Sequence, residues 1–254
     1  MADTDKTSTP PSGFLIFFIV TVIVTVLKII MPKAGAFINS GYMLVIIISQ
    51  FFVNLSLTKS LCYAVDYKQA FLITIFPWVM LFGVINMMLD VFPGWLSPFS
   101  NTFGYFAASL AGSKDLIRKI FKDPTTQSAG DLSKPLAYIY SDQSLLINQV
   151  TIDNFDEFWE RMEKTGLMNS NIDKPKLKEK FLGIITLKDT ISRCIWQILT
   201  GGLITAISYN YIMNSNCMPT AEQAEIDAKK IEKEIDERIQ KDEDKPSFGA
   251  SPVI

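Results

Sequence analysis

Apolar and polar positions are segregated along this chain rather than mixed. The first apolar run, GFLIFFIVTVIVTVLKIIM, covers Gly13 to Met31. At about 1.5 Å per helical residue it crosses most of a hydrocarbon core about 30 Å thick. Its single charge, Lys28, lies near enough to the end to snorkel to the interface. Pro10-Pro11 and Pro32 bracket it. The run is too long for the apolar part of a secretory signal, two acids precede it in MADTDK, and no A-x-A site follows. An uncleaved span is expected. The second run, Tyr42 to Tyr63, turns polar in its later half at Gln50, Asn54, Ser56 and Thr58. Gln50 and Asn54 share a helix face. They read as interhelical hydrogen-bond glue or, alternatively, as a polar conduit. Asn54-Leu55-Ser56 is a glycosylation sequon, expected to stay silent inside a span. The third run, Gln69 to Asp90, carries Pro77 mid-span, which predicts a kink. The fourth stands apart, from Ile191 to Met213, with Arg193 at its start and Tyr209 and Tyr211 near its end. Within it, Gly202 and Ala206 form a small-xxx-small pair suited to close helix contact.

Behind the third run comes VFPGWLSPFSNTFGYF, Val91 to Phe106, which holds no charge. Pro93-Gly94 forces a turn after Asp90, and Pro98 fixes another bend. Phe92, Trp95 and Phe99 suit the headgroup layer. Ser100 or Asn101 is expected to cap a helix from Thr102 to Leu110. Gly104, Ala108 and Gly112 recur at i+4 and leave one side of that helix nearly smooth, while Phe103, Tyr105 and Phe106 crowd the rest. The segment 91–112 is too short to span a bilayer. An interfacial platform is expected, with a re-entrant pore element or a piece of soluble core as alternatives.

Residues 113–190 are charged and mixed. Thirteen Lys/Arg and twelve Asp/Glu between Lys114 and Arg193 nearly cancel. LIRKIF, Leu116 to Phe121, reads as a short amphipathic helix. It either rests on the membrane with Arg118, Lys119 and Lys122 at the phosphates or is an ordinary solvated helix end. LAYIYSDQSLLINQV, Leu136 to Val150, reads as two short strands around Ser141-Asp142-Gln143. Asn154 with Glu157 predicts a capping box. Phe155, Phe158, Trp159 and Met162 then follow helical spacing to Gly166 and read as core. The acids Asp153, Asp156, Glu157 and Glu160 are spread by helical rotation, so a solvated face is expected rather than a metal site. Lys174, Lys176, Lys178 and Lys180 precede the fourth run and are candidates for contact with anionic lipid or an acidic partner. After the last span, residues 219–241 predict a charged amphipathic helix. Ala224, Ala228, Ile231, Ile235 and Ile239 make one narrow apolar stripe on it. Such a stripe fits a coiled-coil seam or a partner groove, or belongs to a lone charged helix. Thr220 with Gln223 predicts its cap, and Glu234 with Arg238 an i,i+4 pair.

The expected fold class is mainly α: a multispan membrane protein with about four transmembrane helices, three of them within 13–90 and the fourth at 191–213. A small water-exposed α+β domain at 113–190 separates spans three and four. A C-terminal amphipathic helix follows, with a disordered N-terminus at 1–12 and a flexible tail at 242–254. Four spans put both termini on one side and the domain on the other. Basic residues near the boundaries (Lys33, Lys114, Arg118, Lys119, Lys188, Arg193 against Lys6, Lys59, Lys68) place the domain in the cytosol.

Composition narrows the chemistry. The net charge of −2 argues against a nucleic-acid partner. There is no histidine, which removes the commonest general base and metal ligand. Cys62, Cys194 and Cys217 form no CxxC pair and read as small buried hydrophobes, with a disulfide or metal role as the alternative. No catalytic residue, cofactor or metal site is nominated, and no nucleophile–base set emerges for a membrane enzyme.

The string Pro93-Gly94-Trp95, then Pro98-Phe99-Ser100-Asn101-Thr102, then Gly104-Tyr105 resembles a motif in membrane proteins of large icosahedral double-stranded DNA viruses, the nucleocytoplasmic group that includes chlorella viruses. The resemblance covers the third span, this motif and the following domain. Outside the motif it rests on layout. It implies a structural protein without a catalytic role, in a virion internal membrane derived from host endomembrane. There it would anchor the bilayer to the capsid shell, a minor capsid-type role, through the exposed domain and the C-terminal helix. The expected partners are lipid and capsid or other virion proteins, with a homo-oligomer left open. An ion channel or small-solute transporter is the alternative, with Gln50, Asn54, Asn86 and Pro77 lining a path.

Overall fold

A backbone in hydrocarbon must satisfy its own polar groups, and a helix does so within one segment. The long apolar runs accordingly fold as helices in the computed structural model. It describes residues 12–62, 67–125, 133–170 and 172–214, with residues 225, 226, 228, 229, 231–233 and 235 of the tail. Helix α1 is Ser12–Ile30, and a 3-10 turn at Pro32–Ala34 leads into α2, Gly35–Cys62. The second span therefore begins before the expected Tyr42. Helix α3 is Tyr67–Val91. A 3-10 turn at Pro93–Leu96 precedes α4, residues 97–110. Helices α5 (Ser113–Ile120), α6 (Ser133–Ser141), α7 (Gln143–Gln149) and α8 (Phe155–Lys164) follow. Helix α9, Lys174–Asn214, is 41 residues long, about 60 Å. Four of these helices, α1, α2, α3 and α9, are long and apolar enough to cross a membrane.

Their packing is inside out relative to a water-soluble bundle. Polar side chains turn inward: Thr21, Thr25, Gln50, Asn54, Thr58, Thr74, Thr205 and Ser208 are buried. Large apolar ones such as Leu15, Ile19, Phe52, Leu72 and Leu203 face out. At the centre Phe17 meets Trp78 at 5.3 Å and Phe82 at 6.0 Å between ring centroids. The Phe17 ring lies over Gly201, where an added Cβ would fall inside it. Pro77 is absorbed by π-helical geometry over Phe76–Gly83, and the helix runs on to Val91. Proline lacks the N–H that would serve the carbonyl four residues back. That carbonyl, on Ile73, accepts instead from the Ser208 hydroxyl of α9 at 3.5 Å.

The exposed region departs from the expected α+β domain. Among the described residues there is no strand, only an isolated antiparallel bridge between Phe121 and Met168. The stretch read as two strands forms α6 and α7. Strand alternation would put Leu136 and Tyr138 on one face. Instead Leu136 is fully buried and Tyr138 is exposed, while Ile139 and Tyr140 pack inward at helical spacing. Asp142 separates the two helices: its carboxylate accepts from the Ser144 N–H at 2.9 Å and caps α7. The Ser144 hydroxyl and N–H also hold Asp142 below the usual carboxylate range. The other expected caps do not form. Neither Ser100 nor Asn101 caps α4, because helical turns already start at Pro93 and Ser97. Asn154 makes no cap to α8; its Oδ1 accepts from the Thr151 N–H at 2.8 Å, and Glu157 pairs with Arg161.

The core of this region joins Leu116, Ile117 and Ile120 of α5, Phe155 and Trp159 of α8, and Phe181 and Ile185 of α9. The apolar side of LIRKIF thus faces core, with Arg118 and Lys119 exposed. Cys194 is a free, buried cysteine. The described tail residues are helical and exposed. Outside the described residues lie Cys217, the Thr220–Gln223 cap, the Glu234–Arg238 pair, Ala224, Ile239, the stretch 242–254 and, apart from Ser12, the stretch 1–12.

Gly201→Ala should cost about 1–3 kcal/mol of stability, since its methyl must displace the buried Phe17 ring. Gly202→Ala should be milder: its Cβ would meet Phe14, an exposed and movable ring, at 3.0 Å. Thermal unfolding of both variants in detergent checks the order.

Candidate functional site

The turns of α9 between Lys188 and Gln197 touch three other parts of the chain. Helical rotation sends Lys188, Ser192, Arg193, Trp196 and Gln197 to neighbouring elements within a short length of one rod. The Lys188 side chain is 2% exposed. Its Nζ donates to Ile147 O at 2.7 Å and to Val150 O at 2.9 Å. These carbonyls lie at and just past the C-terminal end of α7, where helical carbonyls lack partners and a cation is favoured. Ser192 donates to the Lys188 carbonyl at 2.5 Å. Gly104 of α4 lies flush on this turn. An added Cβ would stand 2.7 Å from the Lys188 carbonyl oxygen and would overlap the Ser192 hydroxyl.

One turn onward, Arg193 bridges two acids, donating from Nη1 to Asp90 at 3.0 Å and from Nε to Asp189 at 2.9 Å. The end of α3 is thereby tied to α9. The Trp196 ring packs edge-on against Phe99, 5.6 Å between centroids. Gln197 donates to Asn86 at 3.4 Å, and Asn86 also donates to Phe82 O. The stretch is a joint that clamps α3, α4 and α7 to one helix.

The motif residues divide between turn, contact and surface. Pro93 and Gly94 form the 3-10 turn, and Trp95 stacks on Phe92 at 5.5 Å. Pro98 stands in the first turn of α4, and its carbonyl accepts from Thr102 at 2.6 Å. Ser100 and Tyr105 are half-buried, Asn101 and Thr102 exposed, Gly104 and Ala108 buried. Gly112 meets nothing with an added Cβ; it holds a left-handed φ of 88° between α4 and α5, which favours glycine. Gly202 is half-buried and Ala206 exposed; the buried face of α9 runs one position earlier, through Gly201, Thr205 and Ser208.

Of the lysine run, Lys174 pairs with Glu163 at 2.6 Å and Lys178 with Asp156 at 2.7 Å, both toward α8. Lys176 and Lys180 point outward. Lys180 lines a shallow cavity of about 260 Å³ with Lys119 and Asp115. Ala228, Ile231 and Ile235 are exposed, and Lys229 pairs with Glu225 in the same helix. Among the described residues no group of three or more acids or cysteines is placed to hold a metal ion.

Sequence reasoning missed Lys188, Ser192, Trp196 and Gly201 as contact residues. Only Gly202 with Ala206 reads as a packing pair in the sequence, one position off from the Gly201 that faces in. No family model, no curated protein and no solved structure matches the chain.

Lys188→Met removes both donors and leaves two carbonyls without partners, each worth about 1–3 kcal/mol when buried. Hydrogen exchange should accelerate at the amides of residues 143–150. Gly104→Ala should separate α4 from α9, seen as loss of the Phe99–Trp196 contact in Trp196 fluorescence once the other tryptophans are replaced.

Proposed function

We propose that this chain is a structural integral membrane protein. It crosses the bilayer four times, carries its helical domain on one side, and presents its termini on the other. Its task is to hold the bilayer at a fixed relation to a protein layer. In the setting suggested by the motif around Pro93-Gly94-Trp95, that layer is the capsid shell of a virion and the bilayer is the internal membrane. The observation that carries the reading is the continuity of α9: one unbroken helix forms the fourth span and supplies Phe181 and Ile185 to the domain core. A force on the domain is transmitted to the bilayer without a flexible linker, which suits an anchor.

The polar residues weighed for a conduit are spent on helix contacts. Gln50 donates to Gly13 O at 3.0 Å, Asn54 donates to Thr74 at 2.9 Å, and Asn86 is shared with Gln197. Pairing of this kind joins membrane helices and favours the anchor over a transport path.

Lysine-reactive crosslinking of native membranes or intact particles, read by mass spectrometry, tests this. Links are expected from Lys176 and Lys180 of the domain, or from Lys229 and Lys233 of the tail, into a shell protein. Links confined to transport or lipid-metabolising proteins would overturn the anchor.

A further inference from the structure

Helix α4 has one covered face and one bare face. Gly104 and Ala108 are buried against α9 and the domain core. Phe103, Phe106 and Leu110 recur one turn apart on the outer side, and Phe106 and Leu110 are 64% and 74% exposed. The stacked Phe92 and Trp95, both exposed, adjoin the start of this helix.

The contacts with α9 set the height of this bare face. Phe99 meets Trp196, on the turn of α9 whose Gln197 reaches Asn86 of α3. Both contacts lie on the span side of the Asp90–Arg193 pair, where charge first appears. Gly104 meets Lys188 and Ser192, on the domain side of that pair. Helix α4 therefore starts within the outer part of the hydrocarbon and rises along α9 through the boundary. From Phe99 to Phe106 the helix is about 10 Å long, enough to cross the polar layer of about 5–8 Å on one side of a bilayer.

We propose that lipid covers this face: α4 is a fifth, non-spanning helix immersed in the domain-side leaflet, with Phe92, Trp95, Phe103 and Phe106 between acyl chains and headgroups. The proposal rests on the four-span reading. Met87 and Val91 at the end of α3, just before this segment in the chain, are exposed too. No charge occurs between Asp90 and Lys114. A solvated helix of this length would carry some, whereas an aromatic belt at the interface needs none. Charge returns on α5 with Lys114, Arg118 and Lys119, all exposed; in this arrangement they would meet lipid phosphates.

The full chain, with Cys62, Cys194 and Cys217 replaced by alanine, is reconstituted into phosphatidylcholine vesicles. An environment-sensitive fluorophore is attached singly at Phe106→Cys, Met87→Cys or Asp153→Cys. All three positions are exposed, so labelling leaves the packing intact. At Phe106→Cys we expect blue-shifted emission, quenched by a nitroxide carried on lipid and protected from aqueous iodide, as at Met87→Cys. Asp153→Cys should show the reverse. If Phe106→Cys follows Asp153→Cys while Met87→Cys stays lipid-quenched, the immersed helix is overturned and the spans stand. If Met87→Cys is itself open to iodide, the four-span reading fails and takes this proposal with it.

Discussion

Helix α9 reverses its inward and outward faces along one rod. In its later half, Leu199, Leu203, Ile207 and Tyr211 point outward every fourth residue, and Gly201, Thr205 and Ser208 point in. Hydrocarbon requires this order, because an outward polar group would lose its hydrogen bonds. In the earlier half the order reverses: Phe181 and Ile185 are buried, while Lys176 and Lys180 face out. The changeover falls between Lys188 and Arg193, where α3, α4 and α7 are attached.

That changeover explains why a lysine is buried at the joint. A buried ammonium without partners is costly. Lys188 meets two carbonyls that would themselves be orphaned past the last turn of α7. Each group removes the other's penalty, and α7 is pinned to the spanning helix as a result. Gly104 contributes by having no side chain, which lets α4 lie against the Lys188–Ser192 turn. The same logic operates among the long apolar helices, where Ser208 serves the carbonyl that Pro77 releases. Local defects in one helix are repaired by polar atoms of α9.

Legibility in the sequence followed the strength of the period. Runs such as GFLIFFIVTVIVTVLKIIM contain almost nothing but apolar residues, so length alone identified the four apolar runs, but not that α9 already begins at Lys174, inside the region expected to be a separate domain. The stripe Phe155, Phe158, Trp159 and Met162 was legible as core from its helical spacing among charged residues. The region 136–150 misled because Leu-Ala-Tyr-Ile-Tyr is rich in aromatic and β-branched residues as a strand is, and a short apolar run does not separate the two periods. Burial of Leu136 with Ile139 and Tyr140 decided for helix. The caps at Ser100 and Asn154 were read from residue type, but Ser100 falls inside a helix that already starts at Ser97, and Asn154 accepts from the Thr151 N–H instead.

The sequence by itself determined which segments are apolar enough to cross a membrane, because hydrophobicity is additive along a helix and needs no partner to be counted. It determined the uncharged aromatic character of residues 91–112 in the same way. Tertiary structure decided which side of each helix is buried. Gly201 rather than Gly202 receives Phe17, Gly112 serves a turn rather than a contact, and Lys188 closes a helix end far away in the chain. These choices depend on the rotation of one helix against another, and a shift of one residue turns a helical side chain by about 100°.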